Sequence, residues 1–256
     1  MSTSFDVVVP VLNEEKDLPP SIGKLHEFLS SRMDDYDWRI VVVDNGSTDS
    51  TPEVVKKLSE KYPRVEYLRL EQRGRGRALH FAWTQSQADI VSYMDVDLST
   101  DLGAFPALIN AIDKEGYDIA IASRLRKGAV VIDRTLKREI ISRGYSVLFR
   151  SMFFTSFHDA QCGFKAISRR VAQEVVPLVQ DLGWFFDSEL LILSDKSGYR
   201  IKEIPVKWTD DPDSRVKIVG TAWGDFKGLL RLRFGGLKKA SKLLAKYNNM
   251  KERPNA

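Results

Sequence analysis

Hydrophobic residues fall into short, dense runs in the first half of the chain, separated by longer stretches with helical spacing of apolar positions. The runs are rich in valine and isoleucine, which is typical of parallel strands buried on both faces. The stretches between them, at about residues 16–34, 51–61, 76–87 and 103–114, are long enough for crossover helices. This pattern predicts an α/β fold with a single doubly wound, mostly parallel sheet flanked by helices. The predicted strands are 5–12, 38–44, 65–70, 89–95 and 117–123.

The second half of the chain keeps its hydrophobic runs but loses the regular alternation. The pattern predicts a helix near residues 134–154, a strand at 164–168, a helix at 187–197 and a strand at 199–208. Since no repeat or linker sets these segments apart, we expect them to add to the same sheet. Residues 1–215 are predicted to form this domain, and residues 216–256 a basic tail of amphipathic helices.

Composition limits the classes of protein to which the chain can belong. Its 256 residues are 43% hydrophobic and 29% charged, enough to bury a core. Cys162 is the one cysteine of the sequence, which excludes an intrachain disulfide. The first residues lack the pattern of a secretory signal, and no run approaches about 18 apolar residues, so we expect neither secretion nor a membrane span. A net charge of +4 is no nucleic-acid footprint unless it is concentrated.

Polar residues follow each of the strands predicted in the first half. In an open α/β sheet, ligands bind beyond the carboxyl ends of the strands, so these residues should share one edge. Any one group could be a turn, because Asp, Asn, Gly and Ser end strands in many proteins, but together they predict a ligand site. The groups are residues 13–15, 44–47, 73–77, 95–97 and 123–124.

The stretch MDVDLSTD contains the most specific of these groups. Asp95 and Asp97 are one residue apart at a strand end, so both carboxylates project to the same side. Hard oxygen ligands so placed can hold Mg²⁺ or Mn²⁺ while a diphosphate supplies further oxygens. The alternative is that a carboxylate caps the next helix, which suits Asp101. For Asp95 and Asp97 we expect a metal site.

Several segments, in order along the chain, carry a resemblance to a known family. They are VVVPVLNEE, VVVDNGSTDST, RGRGRAL, MDVDLSTD, IASR, KREIISRGYSVLFR and DAQCGFKAISR. Together they resemble the family 2 glycosyltransferases with a GT-A fold, and more narrowly the polyprenyl-phosphate (dolichyl-phosphate) glucosyl- and mannosyltransferases, over about residues 5–215. The resemblance implies an inverting, metal-dependent enzyme that moves a hexose from a nucleotide-diphosphate sugar to a polyprenyl phosphate.

The same resemblance implies roles for individual residues. The donor would be bound by Pro10, Glu14, Asp44, Gly74, Arg75 and Asp95. The metal would be bound by Asp95, Asp97 and Ser99, the last of which is shorter than the polar residue, often Gln, of many relatives. The acceptor phosphate would be bound by Arg124, Arg138 and Ser142. Arg215 would add a cation, and the expected catalytic residues are Asp97, Arg124, Arg138 and Arg215.

The basic tract EQRGRGRALHFAW is open to two interpretations. As an Arg/Gly tract it suggests a nucleic-acid-binding protein. As a short loop before a helix, it would let Gly74 and Gly76 turn the backbone and leave the first N–H groups of the helix free for a nucleotide. The resemblance favours the second interpretation and predicts no nucleic-acid partner.

The kind of acceptor decides whether a general base is needed. A lipid phosphate is already anionic at neutral pH and needs none, but it needs cations to approach the diphosphate. An alcohol would need a base, for which Asp187 and Glu189 are candidates. The alternative for both is a favourable charge in the first turn of a helix, with Glu189 beside a basic partner.

Apolar and basic residues interleave in the C-terminal tail, a composition typical of a helix on anionic lipid. Its apolar members are Trp223, Phe226, Leu230, Leu237 and Leu244, with a break at residues 235–236. The helix near residues 140–157 is its predicted partner, through Tyr145, Leu148, Phe149, Met152, Phe153 and Phe154. Ordinary core packing is the alternative for both helices. We expect a peripheral protein on the cytoplasmic face of a membrane.

The identity of the donor and the class of the acceptor leave further alternatives. The string DAQCGFK is closer to the glucosyl branch of the family than to the mannosyl branch, which favours UDP-glucose over GDP-mannose. A family 2 glycosyltransferase with a soluble or glycan acceptor remains open. A nucleotide-sugar pyrophosphorylase would need a glycine-rich loop after the first strand, where this chain has PVLNEE.

Overall fold

Strands alternate with helices as the hydrophobic pattern predicts. The structure, a computed structural model, describes residues 2–210 and 218–251, except the side chains of 218–219 and 246–251. Its strands are β1 (Ser4–Val11), β2 (Asp37–Asp44), β3 (Val65–Arg69), β4 (Ile90–Met94), β5 (Ile119–Ser123), β6 (Val130–Ile132), β7 (Phe164–Ser168), β8 (Ile201–Pro205) and β9 (Lys207–Thr209). Within the described ranges, the main sheet has seven strands in the order β3-β2-β1-β4-β7-β5-β8. All of them run parallel except β7, so the mostly parallel sheet is confirmed.

Helices cover both faces of the sheet. They are α1 (Leu18–Arg32), α2 (Thr51–Lys61), α3 (Arg75–Gln85), α4 (Phe105–Asp113), α5 (Leu136–Phe153), α6 (Arg169–Glu174), α7 (Phe186–Lys196), α8 (Ile218–Arg231) and α9 (Leu237–Lys251). Successive strand residues point to opposite faces. Val7 and Val9 accordingly pack in one hydrophobic cluster with α1, α2 and α4, whereas Val8 packs in a second cluster with α3 and the later helices. The sheet is therefore doubly wound.

β7 lies inside the sheet, antiparallel between β4 and β5. The sequence predicted that later strands add to the sheet, and β8 does so at the edge beside β5. The strand predicted at 199–208 is instead two strands, because the second part, β9, leaves the main sheet and pairs with β6. The hydrophobic pattern did not predict β6, because its three residues are exposed or half-buried.

α5 has apolar residues on two faces. Most of those predicted to face a membrane pack in the core instead: Phe149 and Phe153 are buried, and Tyr145, Leu148 and Met152 pack against them partly buried. That part of the prediction is wrong, since the core also uses this face. Phe154, at the end of the helix, is exposed as predicted. The opposite face exposes Leu136, Ile140 and Val147, which lie in one line at helical spacing.

α8 and α9 pack on the same core cluster through Leu229, Leu232, Ala240 and Leu244. Leu244 was predicted to face lipid and is buried. Trp223 is exposed as predicted, and Phe234 in the turn after α8 is exposed as well. The predicted break is present as a wide turn over Leu232–Gly236 in which Gly235 has φ 136°. Nowhere in the described ranges is a helix both long and apolar enough to cross a membrane. The division between residues 215 and 216 stays a prediction.

Candidate active site

Asp44 ends β2 with its carboxylate fully buried at the predicted edge. Its Oδ1 accepts a hydrogen bond from the Ser47 amide at 2.8 Å. Its Oδ2 accepts from Arg69 Nη1 at 2.9 Å and from the Tyr67 hydroxyl at 3.2 Å. Both partners come from β3, and sequence reasoning did not identify either one. Asp44 thus organises the edge of β2, and its predicted contact with the donor stays a prediction.

The loop after β1 is tied to the loop after β2. The Glu14 amide donates to Thr51 Oγ1 at 2.8 Å, and Asn13 Oδ1 accepts from the Thr48 amide at 2.9 Å. Asn13 has φ 56°, a left-handed conformation that Asn tolerates better than most residues. Pro10 lies beside Val43 in the adjoining strand. The structure therefore brings Pro10, Glu14 and Asp44 to the same edge, as predicted.

The start of α3 is closed by a distant segment. The amides of Gly76 and Arg77 donate to the carbonyls of Gly183 and Leu182, at 3.2 Å and 2.9 Å. The prediction that these N–H groups are free for a nucleotide is therefore wrong, because the loop before α7 already satisfies them. Gly74 is needed here, since it has φ 148° and an added Cβ would lie 2.6 Å from the Leu182 carbonyl oxygen.

Arg75 lies at the centre of a buried ion cluster. Its Nη2 donates to Asp95 Oδ1 at 2.9 Å and its Nη1 to Asp187 Oδ2 at 2.8 Å. The Tyr93 hydroxyl donates to Asp187 Oδ1 at 2.9 Å, and Lys165 Nζ lies 3.1 Å from the same oxygen. Burial opposes the charge of Arg75, but Asp95, Tyr93 and Asp187 outweigh it and raise the pKa of Arg75 well above its usual value. Arg75 thus joins β4 to α7.

Asp95 and Asp97 follow β4 in a tight turn, where the Leu98 amide donates to the Asp95 carbonyl. Asp97 is exposed, and its Oδ1 accepts from the Ser99 amide at 2.9 Å. The described residues include no group of three or more His, Cys, Asp or Glu side chains able to hold a metal. Two neighbouring carboxylates do suit Mg²⁺ or Mn²⁺ when a diphosphate completes the oxygen set. Asp95 is shared with Arg75, Asp97 is exposed, and the metal roles of Asp95, Asp97 and Ser99 stay predictions.

Gly163 makes room for Asp95. A Cβ built on Gly163 would lie 1.7 Å from Asp95 Oδ2 and 3.1 Å from Arg75 Nη2. The Asp95 amide also donates to the Gly163 carbonyl at 3.2 Å. Sequence reasoning did not single out this residue, although the segment DAQCGFK that contains it carried part of the family resemblance.

Arg124 directly follows β5 and forms an ion pair with Asp159. Its Nε and Nη2 each lie 2.9 Å from an oxygen of Asp159, a bidentate pair that is stronger than a single contact. Although burial opposes the charge on Asp159, Arg124 lowers the pKa of that carboxyl to about 2. The guanidinium also lies over the Trp208 ring at 5.3 Å. Its position is therefore fixed.

Arg134 joins the predicted acceptor residues, although the sequence did not point to it. It is buried, lies over Trp208 at 5.7 Å, and donates to Ser142 Oγ. Its Nε has no acceptor among the described residues, and burial followed by the charge of Arg124 lowers its pKa. Arg138 is paired with Asp210. Arg215 lies outside the described residues.

Comparison with known protein families matches residues 6–176 to Glycosyl transferase family 2. The chain belongs to this family. The family 2 glycosyltransferase fold is also the fold of its structural neighbours. The glucosyl-3-phosphoglycerate synthase of Mycobacterium tuberculosis, solved with Mn²⁺, uridine diphosphate and phosphoglyceric acid, superposes with a TM-score of 0.69 at 20% identity, over 91% of this chain and 79% of that one. The predicted GT-A fold is confirmed.

Curated relatives of this family 2 glycosyltransferase include several dolichyl-phosphate enzymes. Glycosyltransferase AglD of Haloferax volcanii is 33% identical over 88% of this chain and 36% of its own length. The dolichyl-phosphate beta-glucosyltransferase ALG5C of Trichomonas vaginalis is 30% identical over 83% of this chain and 66% of its own length. The corresponding enzyme of Saccharomyces cerevisiae is 29% identical over 84% of this chain and 69% of its own length. The chain thus spans about a third of AglD and about two thirds of the others.

Proposed function

We propose that this glycosyltransferase moves glucose from UDP-glucose to a polyprenyl phosphate at a membrane surface. A phosphate oxygen of the acceptor attacks the anomeric carbon, the bond from that carbon to the diphosphate breaks, and uridine diphosphate leaves. No proton has to be removed from the acceptor, because a lipid phosphate is already an anion near neutral pH. The configuration at the anomeric carbon is inverted in such a single displacement.

One arrangement carries this proposal. Trp208 lines a small cavity with Asp97 and Ser99, and Arg124 and Arg134 lie over its ring. The indole therefore lies between the carboxylates that suit a metal and two arginines, Arg124 and Arg134, whose ion-pair partners are Asp159 and Glu139. An anionic acceptor that approaches a diphosphate requires cations in such a place, because they offset the repulsion between the two anions. A neutral hydroxyl acceptor would not require them.

Arg134 favours the same kind of acceptor. Its Nε is buried and donates to no acceptor in the described part of the chain, which is costly for a polar group. A phosphate oxygen at this position would satisfy the Nε–H group, beside the ion pair that Arg134 Nη1 makes with Glu139 Oε2 at 2.9 Å. Arg138 and Ser142, one turn apart on α5 just after Arg134, would bind the remaining phosphate oxygens.

A divalent metal would be held by Asp97, with Asp95 beside it, and would supply positive charge at the diphosphate as it leaves. The choice of UDP-glucose is supported by the relatives that are named dolichyl-phosphate beta-glucosyltransferases. The proposed membrane surface is supported by the exposed apolar line of Leu136, Ile140 and Val147 on α5. The cytoplasmic face stays a prediction.

The proposal is tested by transfer of radiolabelled glucose from UDP-glucose to a short-chain polyprenyl phosphate, with Mn²⁺ or Mg²⁺ present and again with EDTA. We expect a glycolipid product only when metal is present. Control reactions use the unphosphorylated polyprenol, GDP-mannose in place of UDP-glucose, and phosphoglyceric acid as a soluble phosphorylated acceptor. Product with the polyprenol or with the soluble acceptor, but not with the polyprenyl phosphate, would contradict the proposal.

A further inference from the structure

Asp187 lies in the first turn of α7, and both oxygens of its carboxylate have partners. Oδ1 accepts from the Tyr93 hydroxyl at 2.9 Å and lies 3.1 Å from Lys165 Nζ, while Oδ2 accepts from Arg75 Nη1 at 2.8 Å. The residue is 1% exposed. A general base must come within hydrogen-bond distance of the acceptor's proton through an available oxygen. Both oxygens of Asp187 already have partners, and its burial keeps them from an acceptor in this structure.

Lys165 gives the cluster a second buried cation. Its side chain is completely buried, and apart from Asp187 its Nζ reaches only uncharged groups within the described residues, the Tyr93 hydroxyl and the Cys162 carbonyl. A buried ammonium group is strongly destabilising without a charged partner. With Arg75 and Lys165 on one side and Asp95 and Asp187 on the other, the cluster is neutral.

We infer that Asp187 is a positioning residue for the metal carboxylates. It anchors Arg75 on Asp95, and by balancing Lys165 it holds the local charge at zero beside the place where a divalent cation would bind. This inference rests on the proposed function in one respect, that Asp95 and Asp97 hold the metal. It also assigns Asp187 a role other than that of a general base.

Loss of the negative charge on Asp187 has a specific consequence. The cluster would carry one net positive charge, which repels a divalent cation and does not repel a nucleotide diphosphate. Arg75 would also pair more strongly with Asp95, since it would have lost its other carboxylate partner. Both effects weaken the binding of the metal, whereas a general loss of structure would weaken the binding of the metal and of the nucleotide together.

The first test is the Asp187→Asn variant. We expect Mn²⁺ binding, followed by electron paramagnetic resonance of free Mn²⁺, to weaken about tenfold. Binding of uridine diphosphate without metal, followed by calorimetry, should be no weaker than in the wild type. If the variant binds Mn²⁺ as tightly as the wild type, the inference is wrong.

The second test restores neutrality in the double variant Asp187→Asn with Lys165→Met. Asn can still accept from Arg75, and the buried ammonium is gone, so this variant also covers the case in which Asp187→Asn alone does not fold. We expect both Mn²⁺ affinity and glucose transfer to return to within about threefold of the wild type. A general base cannot be restored in this way. A folded double variant that binds Mn²⁺ normally and transfers no glucose would overturn the inference.

Glu189→Gln is the matched control, since Glu189 is on the same helix, equally buried, and paired with Arg231 of α8 at 2.6 Å. We expect it to lower thermal stability without changing Mn²⁺ binding.

Failure of the proposed function would give a different experimental result. A wild-type protein that binds Mn²⁺ and uridine diphosphate but does not glucosylate polyprenyl phosphate would overturn that proposal and leave the binding comparison valid.

Discussion

Asp95 and Asp97 are one residue apart in the sequence and have different surroundings in the structure. Asp95 is bonded to Arg75 and packed against Gly163, whereas Asp97 is exposed beside Ser99 and Trp208. A carboxylate already paired with a guanidinium has less charge to offer a metal. Asp95 is thus the link to the cluster around Arg75, and the direct metal contact of Asp97 is the part that the next experiment tests.

Asp97→Ala should abolish metal-dependent transfer, with a loss on the order of 100-fold or more, because it removes the exposed carboxylate. The melting temperature should change little, since the side chain is at the surface. Asp101→Ala is the control: Asp101 caps a short helical turn through the Gly103 amide at 2.7 Å. That variant should lose about 1 kcal/mol of stability and keep its activity and metal dependence. Near wild-type activity of Asp97→Ala would refute the metal role.

Gly163→Ala should be inactive although the change is a single methyl group. The new Cβ would overlap Asp95 Oδ2, so the carboxylate or β7 has to move, at a cost of about 1–3 kcal/mol. Weaker Mn²⁺ binding and lower activity are expected together. Gly144→Ala on α5 is the control, since nothing lies within 4 Å of its Cβ position. It should stabilise the protein by about 0.5–1 kcal/mol and leave Mn²⁺ binding unchanged.

Sequence reasoning placed most of the predicted donor, metal and acceptor residues on one edge, because strand ends and family motifs mark them. Other members of the site could not be found in this way. In the sequence, Lys165 is a single polar position within a hydrophobic strand, and Trp208 is part of the end of a strand. Neither position indicates a site residue by itself. Arg134 has no signal of its own in the sequence. Lys165 gains its role from Asp187 on another element, and Arg134 and Trp208 gain theirs from their contact across 74 residues of sequence.

At the scale of elements, hydrophobic runs predict strands well but not their direction or order. A run of five buried residues such as β7 reads the same in a parallel and an antiparallel strand, so its insertion between β4 and β5 carried no sequence signal. The face that α5 buries was also misjudged, because apolar residues occur on both sides of this helix. The closure of α3 by carbonyls of residues 182 and 183 depends on a contact that spans more than a hundred residues.

The contact between α8 and the loop before β7 predicts a pH dependence of stability. Burial raises the pKa of Asp225 from its ordinary 3.8 to about 7, while a hydrogen bond from Gln161 opposes the shift. Between these two pH values the unfolded chain has released this proton and the folded protein has kept it. This carboxyl therefore lowers stability as pH rises from about 4 to 7, and its effect is constant above that range.

Asp225→Asn should remove this dependence. At pH 8 the variant should be more stable than the wild type by on the order of 1–3 kcal/mol, and near pH 4 the two should be alike. Thermal unfolding followed by circular dichroism across this range measures the difference. Asp34→Asn, at an exposed position, should leave the wild-type pH profile unchanged. A parallel offset of Asp225→Asn at every pH would argue against the titration of this carboxyl.

At the scale of the whole molecule, Arg138 and the exposed apolar line of α5 lie on opposite sides of one helix. We expect a triple variant with Leu136, Ile140 and Val147 each changed to Gln to bind anionic vesicles at least several-fold more weakly, because apolar surface is lost from the contact. Sedimentation with vesicles measures this. Nucleotide binding and melting temperature should stay unchanged, since these side chains make little contact with the core. Undiminished vesicle binding by the triple variant would show that α5 does not contact the membrane. The variant Trp223→Gln on α8 tests the contribution of the C-terminal helices separately.

The position of β7 also sets when the protein can become active during its synthesis. β4 and β5 are held together by a strand that is made some 40 residues after β5, so a nascent chain that ends before Phe164 leaves the edge of β4 unpaired. Pairings between distant segments form late and slowly. Gly163 and Lys165 arrive with this same strand. A ribosome that stalls before β7 would release a chain with an open sheet edge, prone to aggregate and unable to assemble the site, whose members Asp187 and Trp208 are made after this strand.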